Sequence, residues 1–107
     1  MTLQEIRDCL ERSPVIAAVP NNMLSLALES PVDIIFNLKV SILEIEECIK
    51  KAHQKGKRIF VHIDLADGIG KDKMGVQYLA GLGVDGIIST RAQLIRYAKE
   101  TGLITVQ

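Results

Sequence analysis

Short apolar segments alternate with helical segments along this 107-residue chain, and this alternation limits the possible folds more than any other feature. Five segments are apolar at nearly consecutive positions, as expected for strands that are buried on both faces. Between them, apolar residues recur three or four positions apart, which is the spacing of an amphipathic helix. The pattern predicts a parallel sheet covered by helices. The predicted strands are residues 15–19, 33–39, 58–65, 86–90 and 103–106.

Capping and stop residues set the boundaries of the predicted helices. Thr2 and Glu5 form a capping-box pattern, which predicts a short leading helix that ends near residue 13. Thr90 and Gln93 repeat the pattern before the last helix. Glycines are expected to end the later helices because they adopt the left-handed conformation freely. The predicted helices are residues 23–29, 42–55 (stopped by Gly56), 73–82 (stopped by Gly83) and a final helix stopped by Gly102.

The composition indicates a single compact domain, residues 1–107. Hydrophobic residues make up 48% of the chain, and no apolar stretch approaches the length of a membrane span. Thirteen basic residues balance thirteen acidic ones, so a nucleic-acid or membrane partner would need a local patch. The charged N-terminus and the widely separated Cys9 and Cys48 predict a cytoplasmic protein whose reduced thiols are packing residues and not metal ligands.

Two parallel architectures fit this pattern. The length suits a five-stranded flavodoxin-like sheet, whereas a TIM-type (β/α)8 barrel usually needs about 250 residues. A barrel truncated after its fifth strand is favoured by the last strand, which no helix follows, and by polar residues that suit a barrel lumen. Alternation along the second strand places Asn37 and Lys39 on one face, and His62 and Asp64 repeat that arrangement in the third strand.

Two motifs in the second half of the chain resemble a known family. One is VHIDLADGIGKDKMGVQYLA, which contains His62, Asp64, Gly68 and Asp72. The other is VDGIISTRAQLIRYAKETGLITVQ, which contains the strand before Arg91 and the helix after it. Together they strongly resemble the glycerol-3-phosphate-responsive transcription antiterminators, the GlpP family, from about residue 15 to the last residue.

The resemblance implies a fold, an effector and a mode of regulation. It implies a (β/α)8 barrel that senses glycerol 3-phosphate, needs no other cofactor and regulates glycerol-catabolic genes by acting on a leader RNA. Family members are longer, so the chain resembles the N-terminal half of the barrel. The family's other half contains a glycine-rich segment suited to gripping phosphate, and we therefore expect this chain alone to bind glycerol 3-phosphate poorly or not at all. Where the family usually has a basic residue after the first strand, this sequence has Pro20-Asn21-Asn22.

Polar residues at the carboxyl ends of the predicted strands form the candidate ligand site. The residues alone allow His62 and Asp64 to be either a structural hydrogen-bonded pair or ligand contacts, and the resemblance favours ligand contacts. A third strong zinc ligand is missing, so no metal site is predicted, although a weakly held, water-rich Mg²⁺ is left open. The predicted ligand-binding residues are Asn37, Lys39, His62, Asp64, Ser89, Thr90 and Arg91.

The basic run KKAHQKGKR is the candidate RNA-binding surface, although lysines at a helix C-terminus are also common for electrostatic reasons alone. With few aromatic residues in the chain, binding would depend on phosphate contacts and RNA shape more than on base stacking. The run lies at the amino-terminal edge of the predicted sheet, away from the ligand site. The predicted RNA-binding residues are Lys50, Lys51, Lys55, Lys57 and Arg58.

Two alternatives to an RNA-binding regulator remain at this stage. One is a sugar-phosphate-binding barrel enzyme in which Lys39, His62 and Asp64 perform acid–base chemistry. The other is a five-stranded binding module that is complete in itself. The truncated-barrel interpretation also predicts a partner, because two open sheet edges favour self-association or pairing with a missing C-terminal half.

Overall fold

The structure is a computed structural model that describes residues 2–5 and 16–107. Between residues 16 and 107, five strands alternate with α-helices, as the apolar pattern predicts. The strands are β1 (Ile16–Pro20), β2 (Ile34–Lys39), β3 (Arg58–His62), β4 (Gly86–Ile88) and β5 (Ile104–Val106). The helices are α1 (Leu24–Glu29), α2 (Ile45–Gln54), α3 (Lys73–Leu82) and α4 (Ala92–Glu100). Short 3-10 helices follow β1 (Asn21–Met23) and β3 (Ile63–Leu65).

The strands form one sheet in the order β1-β2-β3-β4-β5, and every neighbouring pair is parallel. Each new strand therefore lies beside the preceding one in the chain, as it does in a (β/α)8 barrel. A flavodoxin-like sheet has the order 2-1-3-4-5 instead, so that alternative is wrong.

One face of the sheet, the helix face, packs against the helices and carries the main core. Its strand residues include Ile35, Ile59, Val61 and Ile87, each fully buried. Because parallel strands in α/β proteins are covered by helices, these positions are aliphatic and lack polar groups. The helix residues of this core include Leu24, Ile45, Ile49, Val76, Leu79, Leu94 and Ala98.

The opposite face, the second face, carries a separate apolar cluster whose members among the described residues all lie on strands. Phe36 and Phe60 pack side by side there, with ring centroids 5.2 Å apart. Phe60 and Ile34 are buried, whereas the surrounding members are only partly buried. The second face comprises Ile16, Ile34, Phe36, Phe60, Ile88, Ile104 and Val106.

Local chemistry explains some of the helix ends. Thr2 and Glu5 form the predicted capping box: the Glu5 amide donates to Thr2 Oγ1 at 3.1 Å, and the Thr2 amide donates to Glu5 Oε2 at 3.4 Å. The predicted remainder of the leading helix lies outside the described residues, as does Cys9. Asp72 caps α3, accepting a hydrogen bond from the Gly75 amide at 2.9 Å, and Gly83 ends that helix in the left-handed conformation.

The prediction that Thr90 caps the last helix is wrong. Helix α4 begins at Ala92, and its N-cap residue is Arg91, whose side chain makes no capping hydrogen bond. The Thr90 hydroxyl instead donates to Asp64, because the chain has not yet turned into the helix at that point.

A carboxylate fixes the start of β4 against β3. Asp85 immediately precedes β4, and its Oδ2 atom accepts a hydrogen bond from the Ile59 amide at 2.8 Å. The same oxygen lies 2.9 Å from Nε2 of His53, near the end of α2. The carboxylate therefore joins β4, β3 and α2 at the amino-terminal edge of the sheet.

In the part of the chain that the structure describes, no helix combines the length and the apolar character needed to cross a membrane.

Candidate functional site

Strand β3 is shorter than the sequence predicts, and this changes the setting of Asp64. The strand ends at His62, and Asp64 lies in the 3-10 helix that follows. The predicted strand alternation therefore fails after His62: Ile63 is buried with the helix-face core, but Leu65 is 47% exposed. Asp64 lies at the carboxyl edge of the sheet on a turn, where its carboxylate can reach the neighbouring strand.

That carboxylate accepts hydrogen bonds from the loop after β4. Asp64 Oδ1 accepts from the Ser89 hydroxyl at 2.7 Å. Asp64 Oδ2 accepts from the Thr90 amide at 2.9 Å and from the Thr90 hydroxyl at 3.0 Å. The Arg91 amide in turn donates to Ser89 Oγ at 3.0 Å. We call Asp64, Ser89 and Thr90 the carboxylate bracket, which joins the ends of β3 and β4.

The bracket keeps Asp64 ionised. Partial burial alone would raise the pKa of this carboxyl group, but the hydrogen bonds from Ser89 and Thr90 outweigh that effect. Together with the nearby His62, they lower the pKa below its ordinary value. Because the folded-state pKa is lowered, the bracket contributes stability above the pKa of the unfolded chain, and this contribution is lost as the pH falls through the folded-state pKa.

His62 is the last residue of β3, and alternation from Phe60 places it on the second face. Its Nδ1 atom is buried and has no hydrogen-bond partner among the residues that the structure describes. Buried polar atoms are nearly always paired, so an unpaired one at a strand end is a candidate contact for a ligand or a partner.

Asn37 does not belong to this site. It is fully buried, and its amide nitrogen donates to Asn21 Oδ1 at 2.9 Å and to Sγ of Cys48, on α2, at 3.2 Å. Asn37 therefore faces the helices, and the prediction that it points into a lumen is wrong. Cys48 is buried, as predicted for a packing residue, and burial raises the pKa of its thiol.

Lys39 lies at the carboxyl edge, but it is bound to an acid that the sequence prediction did not assign. Its ammonium contacts Asp67 Oδ1 at 3.0 Å, and both side chains are largely exposed. The backbone of Asp67 also bonds to Val40 and Ile42, which joins the loops after β2 and β3. The acid in the ADGIG turn is visible in the sequence. Its pairing with a residue 28 positions earlier is not.

Arg91 is exposed and follows the carboxylate bracket directly. Its amide is fixed by Ser89, so the start of its side chain has a defined position at the same edge as His62 and Asp64. The structure therefore brings together His62, Asp64, Ser89, Thr90 and Arg91, with Lys39 two strands away from β4 along the same edge.

The candidate RNA-binding run divides into exposed and buried residues. Lys50, Lys51 and Lys55 are exposed, and the Lys55 ammonium lies 3.3 Å from Glu29 Oε1. Lys57 is only 7% exposed, and its ammonium donates to the carbonyls of Ser30 and Val32, each at 2.6 Å. Lys57 therefore stabilises the fold and is not available to RNA. The remaining predicted residue, Arg58, begins β3 and is partly buried.

Within residues 2–5 and 16–107, no group of three or more His, Cys, Asp or Glu side chains is arranged to hold a metal ion. The polar groups at the carboxyl edge are a histidine, hydroxyls, amides and cationic side chains, with the carboxylates of Asp64 and Asp67 already engaged. This set suits a small hydroxylated anion better than a metal.

Comparisons with known proteins concern the sequence and the fold of the chain. The family model for the glycerol-3-phosphate responsive antiterminator matches residues 15–107. An uncharacterised Escherichia coli K12 protein, YgcP, is 36% identical over 99 residues, which cover 91% of this chain and 52% of YgcP.

Two solved structures are similar in fold. A glycerol uptake operon antiterminator regulatory protein from Listeria monocytogenes has a TM-score of 0.79 at 26% identity, covering 86% of this chain and 51% of the Listeria chain. An antiterminator-related protein from Thermotoga maritima has a TM-score of 0.74 at 27% identity, covering 84% and 51%. The chain thus spans about half the length of the relatives that it matches. Because the family model covers most of its residues, the chain belongs to the glycerol-3-phosphate responsive antiterminator family.

Proposed function

We propose that this chain forms the N-terminal half of a (β/α)8 regulator that senses glycerol 3-phosphate and controls glycerol-catabolic genes in the cytoplasm by antitermination on a leader RNA. The match of the antiterminator family model to residues 15–107 carries this proposal. The names of the Listeria and Thermotoga structures, both linked to a glycerol uptake operon, support it.

The carboxyl edge has the chemistry for a small polyol phosphate. The unpaired Nδ1 atom of His62 can bond to a hydroxyl or a phosphate oxygen, and Arg91 supplies a charge that is always positive. Ligand sites of parallel α/β folds form at this edge of the sheet. Asp64 contributes indirectly, because its carboxylate holds the loop that carries Thr90 and Arg91.

The same geometry favours a sensor over an enzyme. A general base needs a free lone pair within reach of the substrate proton. His62 Nδ1 is such an atom, but the other two residues of the enzyme alternative are engaged: Asp64 accepts three hydrogen bonds, and the Lys39 ammonium is paired with Asp67. One free histidine without a second free acid or base suits ligand binding better than acid–base catalysis.

Glycerol 3-phosphate is expected to bind this chain weakly and at the carboxyl edge. We expect a dissociation constant on the order of millimolar, because the chain supplies one part of the site without the glycine-rich segment of the longer family members. NMR titration of the ¹⁵N-labelled chain measures this directly. The amides of Asp64, Thr90 and Arg91 should shift in a saturable way, and His62→Ala should remove the shifts while leaving the rest of the spectrum unchanged.

Glycerol and inorganic phosphate serve as ligand controls, and each alone should cause smaller shifts at the same concentration. His53→Ala is the matched protein control, because His53 is the other histidine and lies at the opposite edge of the sheet. A spectrum without saturable shifts, or shifts that His62→Ala leaves unchanged, would contradict the proposed effector site.

We also propose that the exposed lysines of α2 contact RNA phosphates. Lys50, Lys51 and Lys55 lie within or directly after the C-terminal half of α2, and Arg58 begins the neighbouring strand. They are at the amino-terminal edge of the sheet, so RNA and effector would bind at opposite edges. Two distinct sites of this kind are what effector-controlled RNA binding requires.

Replacing Lys50, Lys51 and Lys55 together by glutamine is expected to weaken binding to a fluorescent stem-loop RNA. Each lost phosphate contact reduces the slope of log affinity against log salt by roughly 0.7–0.9, so the triple variant should lose about 2 in slope. Fluorescence anisotropy at several salt concentrations gives this slope.

The matched control removes three exposed cations elsewhere, with Lys73, Arg96 and Lys99 replaced by glutamine. Equal changes of slope in the two triple variants would show a general charge effect and would contradict a defined RNA surface on α2.

A further inference from the structure

A groove runs between helices α1 and α2. It consists of two adjoining cavities of about 300 and 270 Å³. Asn21, Leu24 and Lys51 line both cavities, so the two are continuous. Helix α1 has six residues and α2 has ten, so α1 covers only part of the length of α2. The groove is therefore a feature of how these two helices pack.

The larger cavity, the α1–α2 pocket, combines an apolar floor with polar walls. Leu24 and Leu28, both buried, form the floor. The Ser25 hydroxyl and the Gln54 side-chain amide lie on the walls, and both residues are exposed. Sites for small organic ligands have this composition, with a few polar groups around apolar walls, and their volumes begin at about 300 Å³. The pocket thus suits one small ring system that carries hydrogen-bonding groups.

Two of the lysines proposed above as RNA contacts line the same pocket. Lys51 lies within α2 and Lys55 directly after it, and both are exposed. The Lys55 ammonium lies 3.3 Å from Glu29 Oε1, in an ion pair whose side chains are 50% and 74% exposed. Because such an exposed pair stabilises the fold little, a phosphate can replace the carboxylate. A phosphate bound by the two lysines would lie at the mouth of an apolar cavity.

The smaller cavity has the opposite charge. Its wall includes Glu44 and Glu47, near the start of α2, and it continues the groove toward the carboxyl edge of the sheet. Like charges brought together in an interface cost free energy, so these carboxylates disfavour a second phosphate there. The groove therefore suits a single nucleotide at its amino-terminal end and not a strand of nucleic acid along its whole length.

We propose that the α1–α2 pocket receives one unpaired nucleotide of the bound RNA. The base packs on Leu24 and Leu28, its polar edge bonds to the groups on the pocket walls, and its phosphate lies on the lysines. Bases become available in this way in loops and bulges of RNA and not within its helices. This inference rests on the proposed RNA surface and identifies which part of the RNA that surface recognises.

The first test compares two fluorescent stem-loop RNAs that differ in one base. One carries a single bulged nucleotide, with each of the four bases in turn, and the other has an abasic site at the same position. Both have the same number of phosphates, so the salt-dependent part of binding is matched. We expect the best bulged RNA to bind about fivefold tighter, the lower end of the contribution of one bound base. Equal affinities for the abasic RNA and all four bulged RNAs overturn the proposal.

Ser25→Trp tests the position of the site, because the indole fills the pocket from an exposed position on α1. It should remove the preference for bulged over abasic RNA and leave the circular dichroism spectrum unchanged. Leu26→Trp is the matched control, because Leu26 is the next residue of α1, is 67% exposed and lines neither cavity. Loss of the preference in Leu26→Trp but not in Ser25→Trp overturns the proposal.

NMR titration of the ¹⁵N-labelled chain examines the pocket without RNA. The 5′-monophosphates of the four nucleosides should shift the amides of Ser25 and Gln54, and ribose 5-phosphate, which lacks a base, should shift them less. Equal shifts with ribose 5-phosphate overturn the proposal. A monophosphate that binds as tightly as the best bulged RNA also overturns it, because the pocket would then be a site for a free nucleotide.

The triple lysine variant separates failure of the pocket from failure of the RNA surface. A reduced salt slope in that variant, together with equal affinities for bulged and abasic RNA, contradicts the pocket alone. An unchanged salt slope contradicts the RNA surface, and the pocket proposal falls with it.

Discussion

Gly75→Ala is expected to destabilise the fold more than alanine at any other glycine of this chain. An added Cβ at Gly75 would overlap the carbonyl oxygen of Gly70, a backbone atom that cannot rotate away. Either α3 or the loop after β3 must move, which should lower the free energy of unfolding by roughly 3 kcal/mol. For a domain of this size, the corresponding fall in Tm is about 12 °C or more. Thermal unfolding followed by circular dichroism measures it.

Gly81→Ala is the control for this change, because both glycines lie in α3. A Cβ at Gly81 would meet no atom within 4 Å, so alanine there gains helix propensity without a clash. We expect it to raise the free energy of unfolding by roughly 0.5–1 kcal/mol. Two alanine variants of equal stability would show that the approach of α3 to the Gly70 loop is not the reason for glycine at position 75.

Lys57→Met is expected to have the second largest effect. Methionine retains much of the aliphatic stem but removes the ammonium, which leaves the carbonyls of Ser30 and Val32 without their donor. A buried acceptor that loses its partner costs about 1–3 kcal/mol; here the buried Val32 carbonyl loses its donor, and the part-buried Ser30 carbonyl loses the same one. Urea unfolding should therefore show a clearly lower midpoint with a similar slope.

Lys50→Met provides the comparison, since Lys50 is an exposed lysine on α2. Its effect should stay within about 0.5 kcal/mol, as for most surface substitutions. Equal midpoints for the two variants would contradict a structural role for the Lys57 ammonium.

The sequence was sufficient to predict those features that depend on neighbours in the chain. Aliphatic runs such as the one around Val61 predicted the strands, and Gly83 and Gly102 marked helix ends, because burial and left-handed turns leave local signals. The parallel sheet followed from the alternation of strands and helices, but its sequential strand order did not, because a flavodoxin-like order fitted the same alternation. The proposed closure of the sheet into a barrel could not be predicted from neighbouring residues in the same way, because it depends on residues outside the described sheet.

The errors fall where a side chain is satisfied by a distant partner. Asn37 looked like a lumen residue, but its partners are Asn21 and Cys48, which come from other elements of the chain. Lys57 looked like part of a solvated basic run, whereas it binds carbonyls 25 and 27 positions earlier. A polar residue in an apolar context is ambiguous in sequence, since burial with a partner and exposure to a ligand leave the same pattern.

The end of β3, in the middle of the candidate site, was also not predictable from the sequence. Asp64 has hydrophobic neighbours that continue the apparent β3 pattern, so the sequence predicted a strand through it. In the structure the strand ends at His62, two residues before Asp64, which allows the carboxylate to reach Ser89 and Thr90. The signal for this turn is again non-local, because the donors lie on the loop after β4.

Strand β4 has only three residues, yet a carboxylate joins it to β3 at each end. At one end the carboxylate comes from the β4 side, and at the other end it comes from the β3 side. Asp85 reaches from β4 back to the Ile59 amide, and Asp64 reaches from β3 forward to Ser89 and Thr90. Sliding one strand along the other would break the hydrogen bonds of both carboxylates at once. A slip of one residue would also exchange the two faces of the strand. The register between β3 and β4 is therefore fixed. Any movement of the edge that carries His62 has to come from the loops and not from a shift in strand register.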